Sequence, residues 1–209
     1  MVRLRRLPIK SLKLELSTKR IEALTDGIFA IAMTLLVLGF EVKAPEGGYR
    51  KDLFIQWLLT LWPHFHDFVV SFFILAVFWI NHHRQFHFIK RSDTNLLRIN
   101  IIILMFICLI PFTTELQSSY ENVFPAVLVF ELNMFLAGLM YSFQWHYVTS
   151  GRRLVEKDLD EEVVRVYKWR TLIIPFLSVC AIATSYFDPD LGTSVYLLVP
   201  LALMFMKWY

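Results

Sequence analysis

The chain has 209 residues, of which 56% are hydrophobic and 19% are charged, compared with roughly 25% charged residues in a typical soluble domain. Its formal net charge of +3 is too small and too dispersed to indicate a nucleic-acid-binding protein. The 19 Phe and 6 Trp residues are of the types that fill hydrocarbon and anchor helices at membrane interfaces. The composition therefore predicts an all-α integral membrane protein.

Six apolar stretches are long enough to cross a hydrocarbon core of about 30 Å. The longest one contains a Trp62-Pro63 step that allows a kink, and Asp188 to Asp190 reads as a tight turn before the last stretch. We predict one six-helix transmembrane domain over residues 1–209, with spans at about 19–41, 53–82, 95–117, 123–149, 166–187 and 191–208.

The connections between the spans alternate in charge. Lys and Arg concentrate in the N-terminal segment and around Arg84 and Arg152, whereas residues 115–121 and 188–190 carry only acids. Because basic loops remain on the cytoplasmic side, both termini are predicted to be cytoplasmic. The mixed charges of residues 152–170 predict a solvated helical extension of the fifth span.

The first span begins with polar groups, which are costly at membrane depth and are therefore the first functional candidates. Arg20 and Asp26 lie about 120° apart around a helix, so they cannot pair with each other. Trp79 and His82 share one helix face on the same predicted side of the membrane. We predict a buried polar network of Arg20, Thr25, Asp26, Trp79 and His82, which either clamps helices together or contacts an ion directly.

A second set of residues in the first span forms a stripe. Gly27, Ile31, Thr34 and Leu38 follow one another at i, i+4, i+7 and i+11 and so share a helix face. Such a stripe fits packing against a neighbouring helix, and it fits a pore axis equally well. On a pore axis, rings of Ile31 and Leu38 would form dewetting constrictions, and Thr34 hydroxyls would offer oxygen ligands to a partly hydrated cation.

The sequence lacks the patterns of catalytic and metal sites. The segment after Asp26 resembles the Asp-Gly-x-x-Ala-Arg motif of phosphatidyl-transferring enzymes, but Ile31 occupies the position of the Arg. His83 and His87 have the i, i+4 spacing of a helical metal pair, yet no third ligand lies nearby in the sequence. We therefore predict no enzymatic activity, no cofactor and no resident metal ion.

The start of the first span resembles the Arg-x-x-x-Phe-Ser-Asp signature of the transmembrane protein 175 potassium channel family, in its bacterial branch. Arg20 and Asp26 match, while Leu24 replaces the Phe and Thr25 replaces the Ser. Further similarity extends over about the first half of the chain, at Trp79, His82, Arg84, Phe86, Asp93, Asn100, Pro111 and Phe112.

The resemblance implies that four six-span subunits surround a pore that is lined by the first span and lacks a carbonyl-lined filter. It implies a constriction at Ile31, a hydroxyl layer at Thr34 and further apolar rings at Leu35 and Leu38. The expected partners are a homotetramer, the lipid bilayer of the plasma (inner) membrane and monovalent cations. Permeant K⁺ is the only ion expected to occupy the protein, and only transiently.

Three functional hypotheses follow. The first is a potassium-selective or weakly selective cation channel with a hydrophobic constriction on the first helix. The second is a proton-coupled transporter or proton leak that uses Asp26 and His82, because an imidazole exchanges protons near neutral pH. The third is a membrane scaffold without transport.

Overall fold

The computed structural model describes residues 17–40, 51–120 and 123–199. Helices dominate these ranges, and 3₁₀ turns follow three of them at Leu36–Gly39, Ser150–Arg152 and Val195–Leu197. The α-helices are α1 (Thr18–Leu35), α2 (Lys51–Thr60), α3 (Trp62–Phe88), α4 (Thr94–Ser119), α5 (Phe124–Thr149), α6 (Glu161–Ser185) and α7 (Pro189–Ser194).

Five helical segments of the described chain are long and apolar enough to cross a membrane. They are Thr18–Gly39, Phe54–Phe88, Thr94–Ser119, Phe124–Arg152 and Glu161–Ser185, in the order of the first five predicted spans. The sixth predicted span, at about 191–208, extends beyond the described residues, which end at residue 199.

Two of these segments differ in extent from the predicted spans. The second continues beyond residue 82 to Phe88, and α2 and α3 meet at Leu61, two residues before Pro63 in the first turn of α3. The fifth starts at Glu161, where the Asp160 carboxylate caps α6 by accepting a hydrogen bond from the Glu162 amide at 2.8 Å. Polar capping thus starts α6 before its apolar part begins.

Helix α5 packs against both α4 and α6. Its contact with α6 depends on Gly138, because a Cβ atom built at this position would lie 2.6 Å from Cδ of Pro175. Small residues allow membrane helices to approach closely enough for their backbones to touch. Gly138 therefore sets the distance between α5 and α6.

At one end of the bundle, the connection between α3 and α4 is hydrogen bonded to the end of α5 and to the connection that follows it. The amide of Lys90 donates to the Leu154 carbonyl at 3.0 Å, and the Tyr147 hydroxyl donates to Asp93 Oδ2 at 2.7 Å. The same Asp93 caps α4, because its Oδ1 accepts from the Leu96 amide at 2.8 Å. These bonds fix the starting point of α4, on which the site described below depends.

The first helix docks on α3 and α4 through a narrow stripe. Its buried side chains are Ile21, Thr25, Phe29 and Ala32, and Leu36 continues this stripe in the following turn. This spacing follows one helix face. The other described residues leave the rest of the circumference of α1 largely uncovered.

We predict that Gly138→Ala destabilises the protein by about 1–3 kcal/mol, because the added methyl group overlaps the rigid Pro175 ring. Chemical denaturation in detergent micelles measures the free energy of unfolding. Leu139→Ala, at the neighbouring position with 43% exposure, is the control and should change stability by less than about 1 kcal/mol. Equal stability of Gly138→Ala and the unmodified protein would show that the α5–α6 distance does not depend on glycine.

Candidate functional site

A chain of buried polar side chains links α1, α4 and α3. Asn100 Nδ2 donates to Thr25 Oγ1 at 3.1 Å, and Asn100 Oδ1 lies 3.2 Å from His82 Nε2. Thr25 and Asn100 are 0% exposed and His82 is 1% exposed. Because an amide oxygen only accepts, His82 Nε2 carries the hydrogen of this bond. We call these three residues the Thr25–Asn100–His82 chain.

Local packing holds the His82 ring in place. The ring stacks on Phe86, with centroids 4.2 Å apart, and meets the edge of Tyr141 at 6.5 Å. Three residues further along α3, Gln85 accepts a hydrogen bond from Gln144 of α5 at 3.0 Å. His82 and Gln85 of α3 thus each have a hydrogen-bond partner on another helix, His82 on α4 and Gln85 on α5.

A second contact lies next to this chain, at the surface of the subunit. Trp79 Nε1 donates to Asp26 Oδ1 at 2.9 Å, and Trp79 is 38% exposed. Hydrogen bonds to an ionised carboxylate are stronger than those between neutral groups. Adjacent residues of α1, Thr25 and Asp26, therefore bind α4 and α3 respectively.

The structure brings together most of the predicted polar network, but in a different arrangement. Asp26 pairs with Trp79, whereas Thr25 and His82 are joined only through Asn100. Arg20 is exposed in the first turn of α1, and its side chain has no hydrogen bond or ion pair to the described residues. Asp26 is also exposed, so the network is buried only in part.

Sequence reasoning did not find that Asn100 is the link. It identified Asn100 through family resemblance alone and gave it no partner. One sequence feature could have indicated this role: Asn100 is an amide within the apolar stretch of the third span, where an unpaired polar group is costly. The same signal marks Gln85 and Gln144, which pair between α3 and α5.

The uncovered face of α1 carries the predicted pore residues. Ile31 is 56% exposed, Leu35 42% and Leu38 72%, and Thr34 and Gly27 are also exposed. The Thr34 hydroxyl donates to the Ile31 carbonyl at 2.8 Å. Its proton is thereby directed back to the helix, and the lone pairs of the oxygen remain available to an ion. We call this surface, together with Leu38 in the 3₁₀ turn that follows, the uncovered face of α1.

Known proteins resemble this chain in both sequence and fold. Residues 20–111 match the family described as endosomal/lysosomal potassium channel TMEM175. A potassium channel of Chamaesiphon minutus is 33% identical over 183 residues, which cover 85% of this chain and 89% of that protein. The endosomal/lysosomal proton channel TMEM175 of Bos taurus is 31% identical over 112 residues, which cover 51% of this chain and 23% of the bovine protein.

A solved structure supports the same relationship. The crystal structure of a lysosomal potassium-selective channel TMEM175 homolog from Chamaesiphon minutus superposes with a TM-score of 0.75 at 30% identity, covering 90% of this chain and 97% of that chain. The prediction of an all-α, multi-pass membrane protein is confirmed by this similarity. The matched residues 20–111 include the Thr25–Asn100–His82 chain and the uncovered face of α1.

We predict that Asn100→Ala lowers the free energy of unfolding by roughly 1–3 kcal/mol, because it leaves buried Thr25 and His82 groups without a partner. Asn95→Ala, at an exposed position on the same helix, is the matched control and should have little effect. Denaturation in detergent measures both changes.

The bond itself is tested by a double-mutant cycle. Thr25→Val should destabilise the Asn100→Ala variant less than the unmodified protein, because the shared hydrogen bond is already lost. Strictly additive effects would contradict a direct Thr25–Asn100 interaction.

Proposed function

The chain belongs to the TMEM175 family, and we propose that it is a potassium-selective or weakly selective cation channel in which four identical subunits surround a pore lined by α1. Family membership confirms the resemblance inferred from residues 20–26, and the family is one of ion channels rather than enzymes. The observation that carries the proposal is the uncovered face of α1, which presents apolar side chains and one hydroxyl layer that the rest of the described chain does not cover.

The proposed constriction consists of apolar rings. Ile31 lies in α1 and Leu38 in the 3₁₀ turn that follows it, so their rings would be separated by about 12 Å along the axis. Leu35 lies between them on the same exposed side. A narrow ring of apolar side chains disfavours water and so closes a pore without a moving plug. Ile31 is the proposed gate or constriction, and Leu35 and Leu38 extend it.

Thr34 is the proposed selectivity layer. Its hydroxyl hydrogen bonds to the Ile31 carbonyl, so the oxygen would present lone pairs to the axis. Four neutral oxygens in a ring replace part of the hydration shell of a monovalent cation without binding it tightly. Weak binding is required for conduction, because the ion must also leave.

The polar contacts of α1 have a positioning role in this proposal. The Thr25–Asn100–His82 chain and the Asp26–Trp79 bond both lie one to four turns before the proposed pore layers. By binding α4 and α3, they fix the rotation of α1 about its own axis. Ile31 and Thr34 would then face the pore because Thr25 faces the bundle.

We further propose a location in the plasma (inner) membrane with both termini on the cytoplasmic side. A bacterial relative covers most of the chain, which supports the plasma membrane. The tied end of the bundle, where Lys90 meets Leu154, carries Arg84, Arg152 and Arg153. Basic residues are retained on the cytoplasmic side, which supports this orientation.

Proton transport by Asp26 and His82 is the second candidate, supported by the name of the bovine relative as a proton channel. The geometry favours potassium conduction. His82 is 1% exposed, bonds to Asn100 and lies away from the uncovered face of α1, while the Asp26 carboxylate bonds to Trp79. A relay between Asp26 and His82 would therefore require these bonds to break.

We predict that Thr34→Ala reduces the K⁺/Na⁺ permeability ratio roughly fivefold, which corresponds to losing about 1 kcal/mol of differential oxygen contact. Reversal potentials of the purified protein in a bilayer, with K⁺ on one side and Na⁺ on the other, give this ratio. Thr184→Ala is the matched control, because the Thr184 hydroxyl also donates to a carbonyl of its own helix, at 2.7 Å, but lies on α6.

The same recording separates the two candidates. A current that reverses at the potassium equilibrium potential and is insensitive to a pH gradient supports the channel. A current that follows the pH gradient and survives the removal of potassium supports proton transport. An unchanged ratio in Thr34→Ala would remove Thr34 from the proposed selectivity layer.

A further inference from the structure

A cavity of about 260 Å³ opens at the end of the bundle opposite the Thr25–Asn100–His82 chain. It lies between the starts of α3 and α5, the end of α4, and α7, so it is built from four segments that are distant in the sequence. One wall is polar and contains Asp67 and Gln117, and the rim carries Trp62. Neither the proposed pore nor its anchors use these residues.

The carboxylate of Asp67 lies in the polar wall, and Asp67 is only 6% exposed. Ser118 Oγ donates to Asp67 Oδ2 at 2.8 Å, and His66 Nδ1 lies 3.1 Å from Asp67 Oδ1. An ionised carboxylate has about four lone-pair positions, and these two bonds leave capacity for further donors. A buried negative charge is stabilised by a cation that brings such donors.

Gln117 contributes a second acceptor. Gln117 is 2% exposed, and its Oε1 has no hydrogen-bond partner in the part of the chain that the structure describes. On the same wall, His66 Nε2 lies 3.5 Å from Ser194 Oγ, which is too long for a strong hydrogen bond. The other ring nitrogen of His66, Nδ1, is already engaged by Asp67. The unfilled groups of Asp67 and Gln117 on this wall are therefore acceptors.

The remaining wall is apolar and selects among cations. Trp62 is 66% exposed at the rim, and Pro63, Val127 and Pro189 complete this side. No group of three or more His, Cys, Asp or Glu side chains within the described ranges is arranged to hold a metal ion. An indole face attracts a cation, and hydrocarbon packs against proline and valine. A cation with an alkyl chain complements both walls, whereas a bare metal ion complements only one.

We propose that this cavity binds a primary ammonium group, which donates to Asp67 and Gln117 while its alkyl chain packs against Trp62. A primary ammonium has three donors and no acceptor, and this matches the unfilled acceptors. The volume has room for roughly eight groups of water size, enough for a short alkylammonium. The ammonium comes either from a small free amine or from an ethanolamine lipid headgroup, because both carry this group.

Calorimetric titration of the purified protein in detergent with n-propylammonium chloride tests the proposal. We expect saturable binding that Asp67→Asn weakens roughly tenfold or more, because a charge-assisted hydrogen bond is lost. Tetramethylammonium, which has no N–H donors, should bind more weakly. Glu115→Gln is the matched control, since it removes one negative charge from the same end of α4 but lies outside the cavity lining.

A second variant covers the case in which Asp67→Asn does not fold. Ser194→Phe leaves Asp67 in place and fills the cavity, so it should abolish propylammonium binding. Absence of saturable propylammonium binding to the unmodified protein, or binding that persists in Ser194→Phe, would overturn a free-amine site.

Native mass spectrometry distinguishes the two sources of the ammonium. Retention of phosphatidylethanolamine over phosphatidylcholine, lost in Ser194→Phe, with displacement by propylammonium, identifies a lipid headgroup. Propylammonium binding without selective lipid retention identifies a free amine. If neither probe binds in a way that depends on Asp67 or Ser194, the cavity is not an ammonium site.

Discussion

Hydrocarbon offers no hydrogen-bond partners, and the arrangement of this bundle follows from that constraint. Asn100, in the first half of α4, must satisfy its amide internally, and it does so with Thr25 on α1 and His82 on α3. This single side chain thus connects three helices at membrane depth. The Thr25 bond also decides which side of α1 faces the bundle, because rotating α1 by even one residue would leave Asn100 and Thr25 unpaired.

That choice divides α1 into two faces with different roles. One face packs against α3 and α4 through Phe29, Ala32 and Leu36, and supplies binding energy within the subunit. The opposite face carries Ile31 and Thr34 and is left exposed by residues 17–40, 51–120 and 123–199. Large exposed apolar surfaces on a helix indicate a further interface or a lipid contact. In the proposed tetramer this face meets the pore axis, so side chains rather than backbone carbonyls contact the ion.

Much of this architecture could be predicted from the sequence, because the spans and the faces of α1 depend on residues close together in the chain. Apolar runs predicted the order of five spans, and helical periodicity separated the polar groups of α1 from the stripe at Ile31 and Thr34. Family resemblance added Leu35, which shares the uncovered face. Neither source predicted the role of Asn100, since hydrogen bonding between helices depends on their relative rotation. Arg20 was placed in the network, but it lies in the exposed first turn of α1.

The cavity near Asp67 was missed for a related reason. Its residues come from segments that periodicity treats separately, and each polar residue alone resembles an ordinary interfacial side chain. Only the fold brings the start of α3 near the end of α4 and places α7 beside both. Sites formed by one helix can therefore be inferred from spacing, whereas sites formed by four segments require their packing.

Cadmium block of an Ile31→Cys variant tests the central claim, that the uncovered face of α1 surrounds the ion pathway. The native Cys108 and Cys180 are replaced by Ser in this experiment, because thiolates are the ligands that soft metals prefer. If four copies of residue 31 face one axis, micromolar Cd²⁺ should block the potassium current of Ile31→Cys. Cd²⁺ should not reduce the potassium current of Ile101→Cys, at a position on α4 that is 52% exposed. Undiminished potassium current through Ile31→Cys in Cd²⁺ would contradict the account.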